Sequence, residues 1–177
     1  MNEYKATELE IYERELSIEN KFLILKLGNQ NFAINVSSVS EVLDSSQDIT
    51  IIPSGPEYLL GVINIRGIAI PVIDLRIRFG LDVDIFDEET RIVILEYYEK
   101  DQLCKIGGIT NSVEDVIYID KEQITEAPKI AVKWNENFIK GIVRMNEEFI
   151  IILDLDKVLS CDNEVFKCVK GENRKFQ

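Results

Sequence analysis

The chain has 177 residues, 46% of them hydrophobic and 29% charged, with 9 Gly and 4 Pro, which suits one folded domain or two small half-domains on a shared core. Its 32 acidic and 20 basic residues leave a net charge of −12, which argues against nucleic acid or an anionic membrane as the main partner. Histidine is absent, so a His general base, a Ser–His or Cys–His nucleophile pair and a His-ligated metal are all excluded.

From the start of the chain, Leu9, Tyr12 and Leu16 fall at helical spacing among acids, giving residues 1–19 as a short helix or a frayed acidic tail. The six Glu before Lys21 and the lack of an apolar core there give no signal peptide, and no run of about 18 apolar residues follows to cross a membrane. From Lys21 the texture changes to short Ile/Val/Leu/Phe runs broken by Gly, Asn, Pro and Asp, the punctuation of strands and turns. Strands are predicted near Phe22–Leu27, Gln30–Asn35, Ile49–Ile51, Leu60–Ile65, Ile68–Asp74, Arg91–Tyr97, Gln102–Ile109, Ile117–Tyr118, Ile139–Met145 and Phe149–Leu153. Short helical turns are predicted at Val36–Leu43, Ser112–Val116 and Asp154–Leu159. Residues 161–177 read as a C-terminal tail. Cys104, Cys161 and Cys168 form an odd, unpatterned set, which suits a reducing cytosol and a cytoplasmic protein.

Three blocks recur in the same order. Phe22-Leu-Ile-Leu-Lys-Leu27 pairs with Ile92-Val-Ile-Leu-Glu-Tyr97, and Val39-Ser-Glu-Val-Leu43 pairs with Val113-Glu-Asp-Val-Ile117. The longest runs from Gly61 to Leu75 and again, without a gap, from Gly141 to Leu155, ending both times in Asp-Leu. The pattern implies two copies of one β-unit, about 20–90 and 91–160, with strands that either stay in their own copy or are exchanged. A small sheet exposes edges and one apolar face, so closing each copy into a barrel and packing the two together buries both.

Within that frame, Gly61-Val-Ile-Asn-Ile-Arg-Gly-Ile-Ala-Ile-Pro-Val-Ile-Asp-Leu-Arg76 resembles the signature of the CheW-like family of chemotaxis coupling domains. The likeness continues through Phe32–Leu43, Ile106–Val116 and Phe138–Arg144, and so spans about residues 20–160. It implies an all-β fold, two five-stranded SH3-like barrels around a shared hydrophobic core with short helices at the termini. It also implies a non-catalytic adaptor without cofactors, linking the regulatory domain of the histidine kinase CheA to the cytoplasmic tips of chemoreceptors. Carried over position by position, it assigns receptor contacts to Val39, Glu41, Gly61, Asn64, Arg66, Gly67, Arg91 and Val113. Kinase contacts fall on Pro128, Lys129 and Ile130. Two departures stand out: Arg91 replaces an apolar residue, and Lys129 replaces an acid.

Each of these has a structural alternative. Arg66 at a hairpin turn either satisfies turn carbonyls or is presented to a partner, and Val39 is either core or part of an apolar patch rimmed by Glu41. Asp74 and Asp154, matched across the repeat, read as helix N-caps rather than a proton-sharing dyad. The acids from Asp82 to Glu89 fail the spacing of a calcium loop and read as a solvated connection. Gly107-Gly108 reads as relief of crowding in a barrel. Two rival functions remain: a scaffold of the same fold in another histidine-kinase pathway, and a small-ligand or metal-binding barrel.

Overall fold

The structure is a computed structural model that describes residues 8–10, 13, 18–128 and 136–160. Among the described residues, eleven strands form two sheets. The chain runs β1 (Lys21–Leu27), β2 (Gln30–Asn35), β3 (Val39–Asp44), β4 (Thr50–Ile51), β5 (Leu59–Ile65) and β6 (Ile68–Asp74). A short helix α1 (Leu75–Arg78) follows, then β7 (Arg91–Glu99), β8 (Gln102–Thr110), β9 (Ser112–Tyr118), β10 (Ile139–Met145), β11 (Glu148–Leu153) and helix α2 (Leu155–Ser160). The described residues before Asn20 are helical.

The first sheet has the order β10-β11-β2-β1-β9 and the second β3-β7-β8-β6-β5-β4. Each therefore draws on both halves of the sequence. The β1–β2 hairpin joins β9, β10 and β11, while the β7–β8 hairpin joins β3 to β6. Each sheet curls into an SH3-like barrel, and the same edge contact occurs in both. Thr50 on β4 pairs with Val62 on β5, and Thr125 bridges Ile142 at the matching place on β10.

Strand periodicity divides the apolar residues among three cores. On β1, Phe22 and Ile24 fill the first barrel with Ala33, Val143, Ile150 and Ile152. On β7, Ile92 and Ile94 fill the second with Ile63, Ile70, Val72 and Ile109. The alternate residues, Leu23, Leu25 and Leu27 on β1 and Val93, Leu95 and Tyr97 on β7, meet between the barrels in the largest cluster. Both hairpins are thus buried on two faces, which is why their sequences read as unbroken apolar runs. Burying such a side chain contributes roughly 1.5–3 kcal/mol. Gly107 faces the second barrel's filling, where an added Cβ would lie 3.0 Å from Ile92, so the crowding read from the sequence is real.

The seam between barrels carries its own device. Arg78 lies between the rings of Tyr58 and Phe138, 4.9 Å from each centroid, and these two aromatics occupy matching repeat positions. Phe79 stacks on Phe32 at 5.8 Å and meets Phe138 edge-on at 6.0 Å. Aromatic and cation–π contacts of this kind add about 0.5–2 kcal/mol each beyond burial.

Two of the predicted helical turns are strands. Only Val36–Ser38 is a 3-10 turn, and Val39–Asp44 and Ser112–Tyr118 are extended. Val39, Glu41 and Leu43 are half-buried while Ser40, Val42 and Asp44 are exposed, a period of two that pairing with β7 imposes over the weak helical spacing.

Candidate partner-binding site

The β5–β6 hairpin turns on two residues, Arg66 and Gly67, between the paired Ile65 and Ile68. Their φ values are 50° and 82°, both left-handed, as in a type I′ turn whose twist matches the flanking strands. Gly accepts this freely, whereas Arg at such a φ costs on the order of 1 kcal/mol. Asn64 offsets the strain, because its Oδ1 accepts a hydrogen bond from the Gly67 N–H at 2.8 Å. The turn is rigid as a result, and the Arg66 side chain stands 82% exposed.

Arg66 reaches from that turn to Glu41 on β3, with Nη2 to Oε2 at 3.2 Å. In the strand order β3 and β6 are separated by β7 and β8, so the contact exists because the sheet curls. An exposed pair of this kind adds only about 0–1 kcal/mol, so its effect is to aim the guanidinium more than to stabilise the barrel. Glu41 is itself placed by a bulge in the β3–β7 register between Val39 and Glu41. Val39, just before it, is half-buried and packs on the central core.

The remaining positions separate. Val113, the repeat counterpart of Val39, lies half-buried on β9 in the other sheet and packs on the same central cluster. Gly61 is buried in the barrel wall, where an added Cβ would lie 2.1 Å from the Thr50 carbonyl oxygen. It shapes the hairpin that carries Arg66 and presents no side chain of its own. Arg91 starts β7 and is turned to its own loop, donating from Nη1 to the Glu88 carbonyl at 2.6 Å and to the Thr90 carbonyl at 2.9 Å. Pro128 is exposed, while Lys129 and Ile130 lie outside the described residues. The structure thus brings Val39, Glu41, Asn64, Arg66 and Gly67 together on one face of the second barrel, with Val113 on the other side of the seam.

Asp74 caps α1, accepting from the Arg76 N–H at 2.9 Å. Sequence reasoning assigned no role to Arg76, which is fully buried and donates from Nε to Asp74 Oδ1 at 3.0 Å and from Nη2 to Oδ2 at 2.8 Å. Both carboxylate oxygens are thus engaged by Arg76, the setting of a helix cap and a buried ion pair. The one available signal was the repeat itself, since the place of Arg76 is taken by Asp156 in the second copy. Asp154 accepts from the Lys157 N–H at 3.3 Å and caps α2.

Comparison with known proteins decides the family. The model of the CheW-like domain matches residues 21–162. The chain belongs to the CheW-like domain family. Similar to it is a protein named chemotaxis protein CheW from Klebsiella aerogenes, 32% identical over 146 residues that cover 82% of this chain and 85% of that protein. A namesake from Bacillus subtilis is 32% identical over 145 residues, covering 82% of this chain and 90% of its own length. A solved structure, that of the scaffolding protein TtCheW from Thermoanaerobacter tengcongensis, superposes with a TM-score of 0.69 at 34% identity, covering 79% of this chain and 92% of that one. The two copies of the repeat differ in the chemistry of their hairpin turn. The second hairpin turn, Asn146-Glu147, has the same left-handed φ values of 49° and 68° but carries no guanidinium.

Proposed function

We propose that this protein is a non-catalytic adaptor of chemotaxis signal transduction, coupling the histidine kinase CheA to the cytoplasmic tips of chemoreceptors. The observation that carries the reading is Arg66, held aloft by a strained, Asn64-braced turn and aimed by Glu41 in a CheW-like domain. Receptor contact is made by Val39 and Glu41 on β3, Asn64, Arg66 and Gly67 at the turn, and Val113 across the seam. An apolar strip between charged groups is the usual make-up of a modest interface. Gly61 supports that face indirectly through the hairpin, while Arg91 braces the loop before β7 at the far end of the barrel. Kinase contact falls on the stretch from Pro128 to Ile130. Residues 20–160 form the functional unit, its copies 20–90 and 91–160 sharing a scaffold and dividing the partners. The protein works in the cytoplasm, without a cofactor, at receptor assemblies whose multiplicity turns weak contacts into stable ones.

Pull-down and calorimetric titration with a chemoreceptor cytoplasmic fragment and CheA test the proposal. Binding of both at tens of micromolar or tighter supports it. Binding of neither refutes it.

A further inference from the structure

The connection between α1 and β7, residues 80–90, is solvent-exposed from Asp82 to Glu89, as its acids predict, but its apolar residues are exposed with them. Ile85 is 91% exposed, and Val83 and Phe86 beside it are exposed as well. Around them stand Asp82, Asp84, Asp87, Glu88 and Glu89, and no Lys or Arg occurs from Gly80 to Thr90. Isolated exposed apolar residues are ordinary on protein surfaces, but three within four positions form a patch.

The backbone beneath the patch is held from outside the loop. Arg76 donates to the Asp84 carbonyl at 3.1 Å, and its guanidinium lies 5.4 Å from the Phe86 ring centroid. Arg91 holds the Glu88 carbonyl, and Ser45 Oγ donates to the Asp87 carbonyl at 3.3 Å. Ile85 is therefore displayed on fixed backbone, which lowers the ordering cost of binding. The location matters equally. β6 ends at Asp74 and β7 begins at Arg91, so the loop lies at the end of the second barrel away from the Arg66–Gly67 turn, where β5 passes into β6. Both ends can be occupied together.

We propose that residues 82–89 form a second docking surface, which inserts Ile85 into an apolar pocket rimmed by Lys and Arg on the CheA regulatory domain. The inference rests on the coupling function proposed above, since an adaptor must hold a second partner without releasing the first. The acidic rim supplies the charge complementarity: it repels phosphate backbones and anionic lipid and attracts a basic protein rim, speeding encounter and fixing orientation.

The test titrates full-length chain against intact CheA and, separately, against a receptor cytoplasmic fragment, at low and high NaCl. The variants are Ile85→Ser and the double substitution Glu88→Lys with Glu89→Lys, each checked by thermal melting. Ile85→Ser should weaken CheA binding at least ten-fold and leave receptor affinity within two-fold. The charge reversal should flatten the salt dependence of CheA binding. If wild type binds CheA and both variants match it within two-fold, the docking surface is refuted. A loss confined to the receptor refutes the assignment to CheA. If wild type binds neither partner, the coupling function fails first and this inference falls with it.

Discussion

Replacing Arg76 by Ala should destabilise the protein far more than any substitution at the proposed receptor face. Arg76 is completely buried, fills both oxygens of Asp74 and ties down the Asp84 carbonyl. A buried ion pair as a whole contributes little net stability, because desolvation cancels much of the attraction. Removing one partner, however, strands the other charge in the interior, at a cost of about 3–5 kcal/mol. Against a total stability of roughly 5–15 kcal/mol, that loss lowers the melting temperature by on the order of 10 °C. Urea unfolding of the wild type, Arg76→Ala and the double variant Asp74→Asn with Arg76→Met measures it. The double variant keeps a capping side chain on α1 and leaves no buried charge, so it should recover most of the loss. Arg76→Ala within about 1 kcal/mol of wild type, at an unchanged m value, would refute the reasoning.

Other expectations follow from the same geometry. Gly61→Ala sets a Cβ 2.1 Å from the Thr50 carbonyl oxygen, nearer than the 3.0 Å that real Cβ atoms keep, and should cost about 1–3 kcal/mol or more by chemical denaturation. Gly141→Ala meets the Thr125 carbonyl oxygen at 2.8 Å and Ile124 Cγ2 at 2.5 Å, and should be similarly destabilising. Full stability in both would contradict the matched edge contacts. Burial first, and then the neighbouring Cys104, push the Tyr97 phenol well above its ordinary value of 10.0. Its contribution to stability is complete below pH 10 and falls as rising pH lets the unfolded chain ionise alone. In a spectrophotometric titration the Tyr97 phenol should therefore stay protonated past pH 10, and Tyr97→Phe should remove that delayed phase.

The alternation of Leu60–Ile65 and Ile139–Met145 made those strands legible, because a half-buried pleated surface leaves a period of two, and Phe22–Leu27 and Ile68–Asp74 were legible as short apolar runs between turn residues. The assignment of hairpins to barrels was not legible. β1 and β7 are apolar on both faces, so their sequences fit either barrel, and only pairing with β9 or with β3 decides. Val39–Asp44 and Ser112–Tyr118 misled because their apolar residues, Val39, Val42 and Leu43 and Val113, Val116 and Ile117, fall at helical spacing, while pairing with β7 and β1 makes both extended. At the candidate site, Asn64, Arg66 and Gly67 were readable from turn chemistry, but the Arg66–Glu41 contact was not. It joins residues 25 apart through barrel curvature, which has no local signature. Nor was the burial of Arg76, because an arginine that follows an Asp-Leu pair ordinarily points to water.

The central claim is that Arg66 is held out for a partner and not for the barrel. Titrating the receptor cytoplasmic fragment into wild type and Arg66→Ala, with urea unfolding of both, tests it most directly. Stability within about 1 kcal/mol of wild type, together with at least a ten-fold loss of receptor affinity, is the predicted result. Unchanged receptor affinity, or a loss of affinity matched by a large loss of stability, would contradict the account.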